Sequence, residues 1–264
     1  MSGAADVKSL PSPRLKRRGG FGDKLDVAIV ILCALALWQF GALTIGSDVL
    51  SSPALALRKL YTVVTDPDFA GHLWETGRAF GTALVLALFG GLILGILLGI
   101  HRFSGEVAEP ILSALYAIPK VTLYPVILLL FGLGISAKIA FGVIHGIIPV
   151  TLFTMNAVRN IRSVYFRTAR SLRLTFPQLV WTIVLPATLP EIVSGFRLGF
   201  ALTLLGTLIG EMFASQRGIG YMLIKAMETN DVDMLMALSV LLTVFATVAS
   251  AGLLYLDRRL HAPS

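Results

Sequence analysis

Long apolar runs separated by short polar or proline-marked segments dominate this chain. Six stand out, at 27–43, 79–100, 111–133, 137–155, 190–213 and 234–256. They do not alternate in polarity, which excludes the strands of an outer-membrane barrel. They extend to about 20 residues, enough for a helix to cross a hydrocarbon core of roughly 30 Å. The pattern predicts an all-α, polytopic membrane protein with six transmembrane helices.

Composition strengthens that reading. Hydrophobic residues make up 56% of the 264 and charged residues only 14%, against about 25% charged in a soluble domain. Mean hydropathy is +0.82. The net charge of +7 could suit nucleic acid, but the basic residues flank apolar runs instead of lining one face with interleaved aromatics. No nucleic-acid partner is expected, and membrane lipid is. Cys33 is the only cysteine, which leaves no intramolecular disulfide or cysteine-cluster metal site.

Charge sets the direction. With the N-terminus inside, 15 of the 22 Lys and Arg residues fall on the inner side, counting Arg14, Lys16, Arg17 and Arg18 ahead of the first run. Positive residues accumulate on the cytoplasmic side, so both termini are expected there. A basic stretch before an apolar run also resembles a signal peptide. Trp38-Gln39 stands where small residues should mark cleavage, and the first span is read as retained. The organisation follows: a basic tail at 1–26, one transmembrane domain at 27–260 and a short tail at 261–264. Outside, 54–64 suits a short amphipathic helix, and a second helix is expected at 221–228.

The connection at 156–189 is no loose linker. Residues 164–172 suit a short helix with Arg167, Arg170 and Arg173 on its edge. Thr175-Phe176-Pro177-Gln178 then has the form of a helix start: a capping Thr, a Pro in the first turn and a Gln able to bond back. The second helix is expected to stop near Pro186 and Pro190. Such a stiff protrusion suits contact with another protein; a surface pair held by anionic lipid is the other reading. No phosphate-cradling glycine loop occurs, so active transport would draw on a partner or an ion gradient.

Two polar stripes cross the spans. Tyr116, Lys120 and Tyr124 recur at helical spacing, as do Thr203, Thr207 and Glu211. Buried charge in a membrane usually faces a cavity or a partner. These six residues are candidates for a translocation path, with a Lys120–Glu211 ion pair, carbonyls freed at Pro119, or ordinary packing as the alternatives. Gly195, Gly199, Gly206 and Gly210 form an arc that could pack two copies together. Gly91, Gly95 and Gly99 are read as packing alone, and the isolated His145 and Asn156 as structural. No carboxylate pair, nucleophile–base set or metal-ligand spacing stands out, so no catalytic residue, metal or cofactor is expected and the chain is not read as an enzyme.

Several motifs in one order carry a resemblance. Thr168-Ala169-Arg170-Ser171-Leu172 followed by Ile183-Val184-Leu185-Pro186 resembles the Glu-Ala-Ala-x3-Gly-x9-Ile-x-Leu-Pro signature of ABC importer permeases, with Ala169, Ile183, Leu185 and Pro186 in register. Ala117-Ile118-Pro119-Lys120, Leu130-Phe131-Gly132-Leu133-Gly134, Gly195-Phe196-Arg197, Gly210-Glu211-Met212 and Gly218-Ile219-Gly220-Tyr221 extend it from about residue 51 to 260. The chain looks most like the branch that imports aliphatic sulfonates, taurine, nitrate or thiamine precursors.

That resemblance implies a type I importer permease in the bacterial inner membrane. Loop 156–189 would dock on a separate ATPase through Ala169, Leu172, Arg173, Thr175, Phe176, Leu185 and Pro186, with ATP bound by that partner. A periplasmic or lipid-anchored binding protein would deliver substrate, and a second permease copy, identical or not, would complete the path. The sequence departs from the signature at Arg167 (usually Glu), Thr168 (usually Ala) and Arg173 (usually Gly), which bears on the choice of ATPase. A proton-coupled secondary transporter using Glu211 and Lys120 is the rival; it has no need of the stiff loop, and no inverted repeat is visible.

Overall fold

The computed structural model describes residues 22–46 and 48–261, and helices account for almost all of them. The basic tail with Arg14, Lys16, Arg17 and Arg18, and the residues past His261, lie outside the described residues. The chain divides into two units, 1–53 and 54–264. In the first, α1 (Gly22–Ile45) is apolar on every side, and the Trp38 indole N–H donates to the Ser51 carbonyl at 2.9 Å.

The second unit holds α2 (Pro53–Val64), α3 (Pro67–Ile100), α4 (Arg102–Ala117), α5 (Tyr124–Phe131), α6 (Ile135–Arg159), α7 (Ser163–Ser171), α8 (Phe176–Leu179), α9 (Leu185–Ala214), α10 (Ile219–Glu228) and α11 (Val232–His261). Among the described residues, five helices are long and apolar enough to cross a membrane, or six if one bent pair counts as a span.

Three boundaries differ from the sequence expectation. First, α3 starts at Pro67, not at 79. Asp66 accepts the Asp68 N–H at 2.9 Å, and Pro67 occupies the first turn where no amide is needed. A polar helix start therefore precedes the apolar run and carries Glu75 and Thr76 into the bundle.

Second, the run at 111–133 is not one helix. Pro119 disfavours helical geometry at Ile118, whose ψ is 134°. The chain turns by 87° into a short 3-10 turn and α5. Tyr116, Lys120 and Tyr124 consequently do not share one helix face.

Third, the helix of the loop does not stop at Pro186 and Pro190. A π turn at Val180–Val184 joins α8 to α9, so residues 176–214 form one continuous helical stretch. In this wider turn the Leu185 N–H donates to the Val180 carbonyl, five residues back, and Pro186 follows directly.

Glycines set the packing. Gly91, Gly95 and Gly99 of α3 lie on Val150, Thr154 and Val158 of α6, two matched ridges of four-residue period running parallel. A Cβ on these glycines would come within 2.5–2.7 Å of the facing side chains. On the opposite side of α6, Gly210, Gly206 and Gly195 of α9 close on Lys138, Phe141 and Phe153. The glycine arc of α9 thus packs inside one chain against α6, one of the two roles the sequence left open for it. Without a hydrophobic driving force between helices in lipid, such close approach is what holds a membrane bundle together.

Candidate functional site

Two regions carry the candidate residues, at opposite ends of α6. At its C-terminal end lies loop 156–189, a short helix and a tight turn followed by the start of the long helical stretch into α9. In α7 only Ala169 is buried, and Phe166, Leu179, Val180 and Leu185 pack on Ile96, Val158 and Val184. The loop is thereby seated on the ends of α3 and α6. Leu172 caps α7, Arg173 follows with φ +51°, and the Leu174 and Arg173 amides donate to Ala169 and Arg170 carbonyls at 3.0 Å each. This is a Schellman turn with arginine at the left-handed position where glycine is favoured, the place at which the signature usually has Gly. Thr175 N–H then donates to Gln178 Oε1 at 2.9 Å and opens α8.

At the apex Leu172 is 66% exposed and Phe176 50%. Arg173, Thr175 and Pro186 are exposed, and Leu185 is half-buried. A cleft of about 1170 Å³ lies alongside, lined in part by Asn156, Arg159, Arg167 and Arg170.

The polar stripe of α9 is packed within the chain, the packing alternative that the sequence left open beside a translocation path. Thr203, Thr207 and Glu211 are fully buried. Thr203 and Thr207 sit over Gly146 and Gly142 of α6, and the Thr207 hydroxyl donates to the Thr203 carbonyl at 2.9 Å. The threonines pack against α6, and Glu211 bonds Thr76 of α3.

Glu211 anchors a polar cluster at the N-terminal end of α6. It accepts from the Thr76 hydroxyl at 2.8 Å and from Gly220 N–H at 2.9 Å. Lys138, 1% exposed, stands 3.8 Å from Glu211 and 3.1 Å from Glu75, and also donates to the Arg217 carbonyl at 3.0 Å. Thr76 accepts the Ile219 N–H and His72 accepts that of Gly218.

The segment before α10 is thus fastened to α3, α6 and α9 by side chains that end its free amides. The cation beside Glu211 is Lys138, not Lys120. Glu75, Thr76 and His72 precede the apolar run at 79–100, and Lys138 stands at the very start of the run at 137–155. An ammonium three residues inside α6 demanded a partner, but nothing local named it.

Lys120 remains near the surface of the chain at the break between α4 and α5. Its ammonium donates to the Tyr116 carbonyl at 3.0 Å and lies 5.0 Å from that ring. Tyr116 is 39% exposed. Tyr124 is half-buried, packs on Phe141 and Phe213, and its hydroxyl donates to the Phe213 carbonyl at 2.6 Å. His145 is buried and bonds the Phe141 carbonyl at 2.8 Å, a structural role.

Comparison with known proteins follows the same lines. Residues 87–262 match the family described as binding-protein-dependent transport system inner membrane component. The taurine transport system permease protein of Escherichia coli (strain K12) is 29% identical over 96% of this chain and 95% of its own. A putative aliphatic sulfonates transport permease protein of Bacillus subtilis (strain 168) is 27% identical over 94% and 89%. A nitrate import permease protein of Leptolyngbya laminosa is 27% identical over 80% and 82%. Among solved structures, a chain of the MetNI methionine ABC transporter in inward-facing conformations superposes with a TM-score of 0.60. It is 17% identical and covers 74% of this chain and 99% of its own, a likeness of fold.

Proposed function

This chain belongs to the family of binding-protein-dependent transport system inner membrane components, as the permease subunit of an inner-membrane ABC importer, and from that premise we propose how its parts divide the work. It imports a small solute of the sulfonate, taurine, nitrate or thiamine-precursor class, as its relatives' names suggest. Both termini and loop 156–189 lie in the cytoplasm, in keeping with the basic residues gathered there.

The observation that carries the coupling assignment is the locked helix–turn–helix at 163–184, joined without a break to α9. An ATPase that grips Leu172 and Phe176 would move a stretch of helix running to Ala214. ATP is bound by that partner. At the other end of the bundle, α2 and α10 present exposed helix surface to a substrate-binding protein. A second permease copy, identical or paired as a heterodimer, completes the path, which runs beside Tyr116, Lys120 and Tyr124. Their surface position at a broken span supports this, since interrupted helices in a membrane persist where they line a cavity or are buried in protein.

The proton-coupled alternative loses its basis, because Glu211 is bonded to Thr76, Gly220 and Lys138 and not to Lys120. Reconstitution of the purified complex in proteoliposomes tests the proposal. Uptake should require ATP and the binding protein and survive a protonophore. Uptake that collapses with the proton gradient and ignores ATP depletion would overturn it.

A further inference from the structure

We propose that the ATPase meets this loop with a carboxylate-lined groove, in which Leu172 and Phe176 fill an apolar floor and Arg167, Arg170 and Arg173 pair with acidic side chains at the rim. The inference rests on the docking role proposed above and adds the chemistry of the partner's surface.

No Asp or Glu occurs between Glu109 and Glu191, whereas that stretch carries Arg159, Arg162, Arg167, Arg170 and Arg173. Arg159 is neutralised by Glu109 at 2.6 Å. Among the described residues no carboxylate pairs with the other four, and Arg167 reaches only the Ser163 hydroxyl at 3.3 Å. All four are exposed. A solvated helix face ordinarily mixes both signs; this one holds a single sign around exposed apolar side chains, Leu172 and Phe176 at the apex among them.

Shape favours a protein over a lipid surface as the occupant. A fluid headgroup layer attracts basic residues through their charge and asks for no fixed outline. Here the outline is fixed, by the Schellman turn, by the Gln178 bond to Thr175 and by the seating of Phe166 and Leu179 on α3 and α6. Arg173 even holds a left-handed backbone that a glycine would adopt freely. Such placement directs planar guanidinium forks, whose geometry matches carboxylates two bonds at a time. The cleft beside α7 leaves Arg167 and Arg170 a concave flank open to a partner's side chains.

The test uses the full chain co-purified with its ATPase. Arg170→Lys and Arg173→Lys place amines at the rim, and a carbodiimide should then join them to Asp or Glu of the ATPase, identified by mass spectrometry. In parallel, Arg167→Glu with Arg170→Glu should weaken assembly at least tenfold at low salt and reverse its salt dependence. The milder Arg167→Gln with Arg170→Gln guards against a folding defect and should show a smaller loss.

Leu172→Ala with Phe176→Ala separates the two claims. If that pair weakens assembly while charge reversal does not, the loop docks but the acidic groove is wrong. If neither weakens it, the docking role itself falls. Loss of binding to phosphatidylglycerol vesicles with assembly unchanged would assign the arginines to lipid and overturn the proposal.

Discussion

Consider Lys138→Met. The lysine is 1% exposed, holds Glu75 and the Arg217 carbonyl at 3.1 and 3.0 Å, and stands 3.8 Å from a Glu211 with no exposure at all. Methionine keeps the volume and removes the charge. Glu211 retains Thr76 and Gly220 N–H, but its carboxylate is left in a low-dielectric site without a cation, and the Arg217 carbonyl loses its donor. Breaking a buried pair on one side costs about 3–5 kcal/mol. At roughly 2–4 °C per kcal/mol for a chain of this size, the thermal midpoint should fall by about 6–20 °C.

The assay is thermal unfolding of the purified protein in detergent, followed by tryptophan fluorescence. Glu211→Gln alone should cost less, since an amide can still accept from Thr76 or Gly220. The double variant Lys138→Met with Glu211→Gln should recover a large part of the lysine loss, giving a coupling energy of about 1–3 kcal/mol. Glu75, being 27% exposed on its side chain, can be hydrated instead. A single Lys138→Met costing under about 1 kcal/mol, or strict additivity in the double variant, would refute the reasoning.

Other expectations follow from the same geometry. Gly206→Ala would bring a Cβ to 2.5 Å from the Phe141 carbonyl, a backbone atom that cannot move aside, and should destabilise by about 1–3 kcal/mol; Gly77→Ala, with no atom within 4 Å, should not, and equal thermal midpoints would count against the sandwich around α6. Arg173→Gly should raise the midpoint by about 1 kcal/mol of relieved backbone strain while weakening ATPase assembly at low salt; a lowered midpoint would mean the arginine is held by contacts absent here.

Partial burial would raise the pKa of Asp231, but Met234 N–H at 2.9 Å and Lys59 at 3.0 Å hold it below its ordinary value of 3.8. A carboxyl lowered on folding contributes above its unfolded pKa and loses that contribution as pH falls through the lowered one. The midpoint should therefore hold from neutrality to about pH 5 and drop below about pH 4, by an amount under about 1 kcal/mol that Asp231→Asn abolishes. Lys120→Met should reduce uptake while leaving the thermal midpoint and ATPase binding in place, because its ammonium meets only Tyr116, one turn away, among the described residues; a destabilised chain with normal specific uptake would remove it from the path.

Local patterns determined most of the apolar spans and the helices at 54–64, 164–172 and 221–228. Apolar length, capping residues and prolines act within a few positions along the chain, so they can be read without knowing what lies across the bundle. The break at Pro119 and the run through Pro186 show the limit of that reading. Proline removes one amide wherever it stands, but whether the helix breaks or widens depends on how its neighbours are held. Ile118 lies exposed where the chain can turn, while Val184 is seated on Ile96 and Val158 and is kept helical.

Partners lay further out of reach. A polar stripe on α9 looks the same whether it faces water or another helix, and only the glycines of α6 beneath Thr203 and Thr207 decide between them. For Glu211 the sequence suggested Lys120 as a possible partner, and the structure supplies Lys138. The choice of Lys138 over Lys120 was made by the close packing of α9 on α6, where Gly210 lies against Lys138, and α3 adds Glu75 and Thr76 alongside. Charge pairing in a low dielectric is strong only at a few ångströms, and that distance is a property of the assembled bundle.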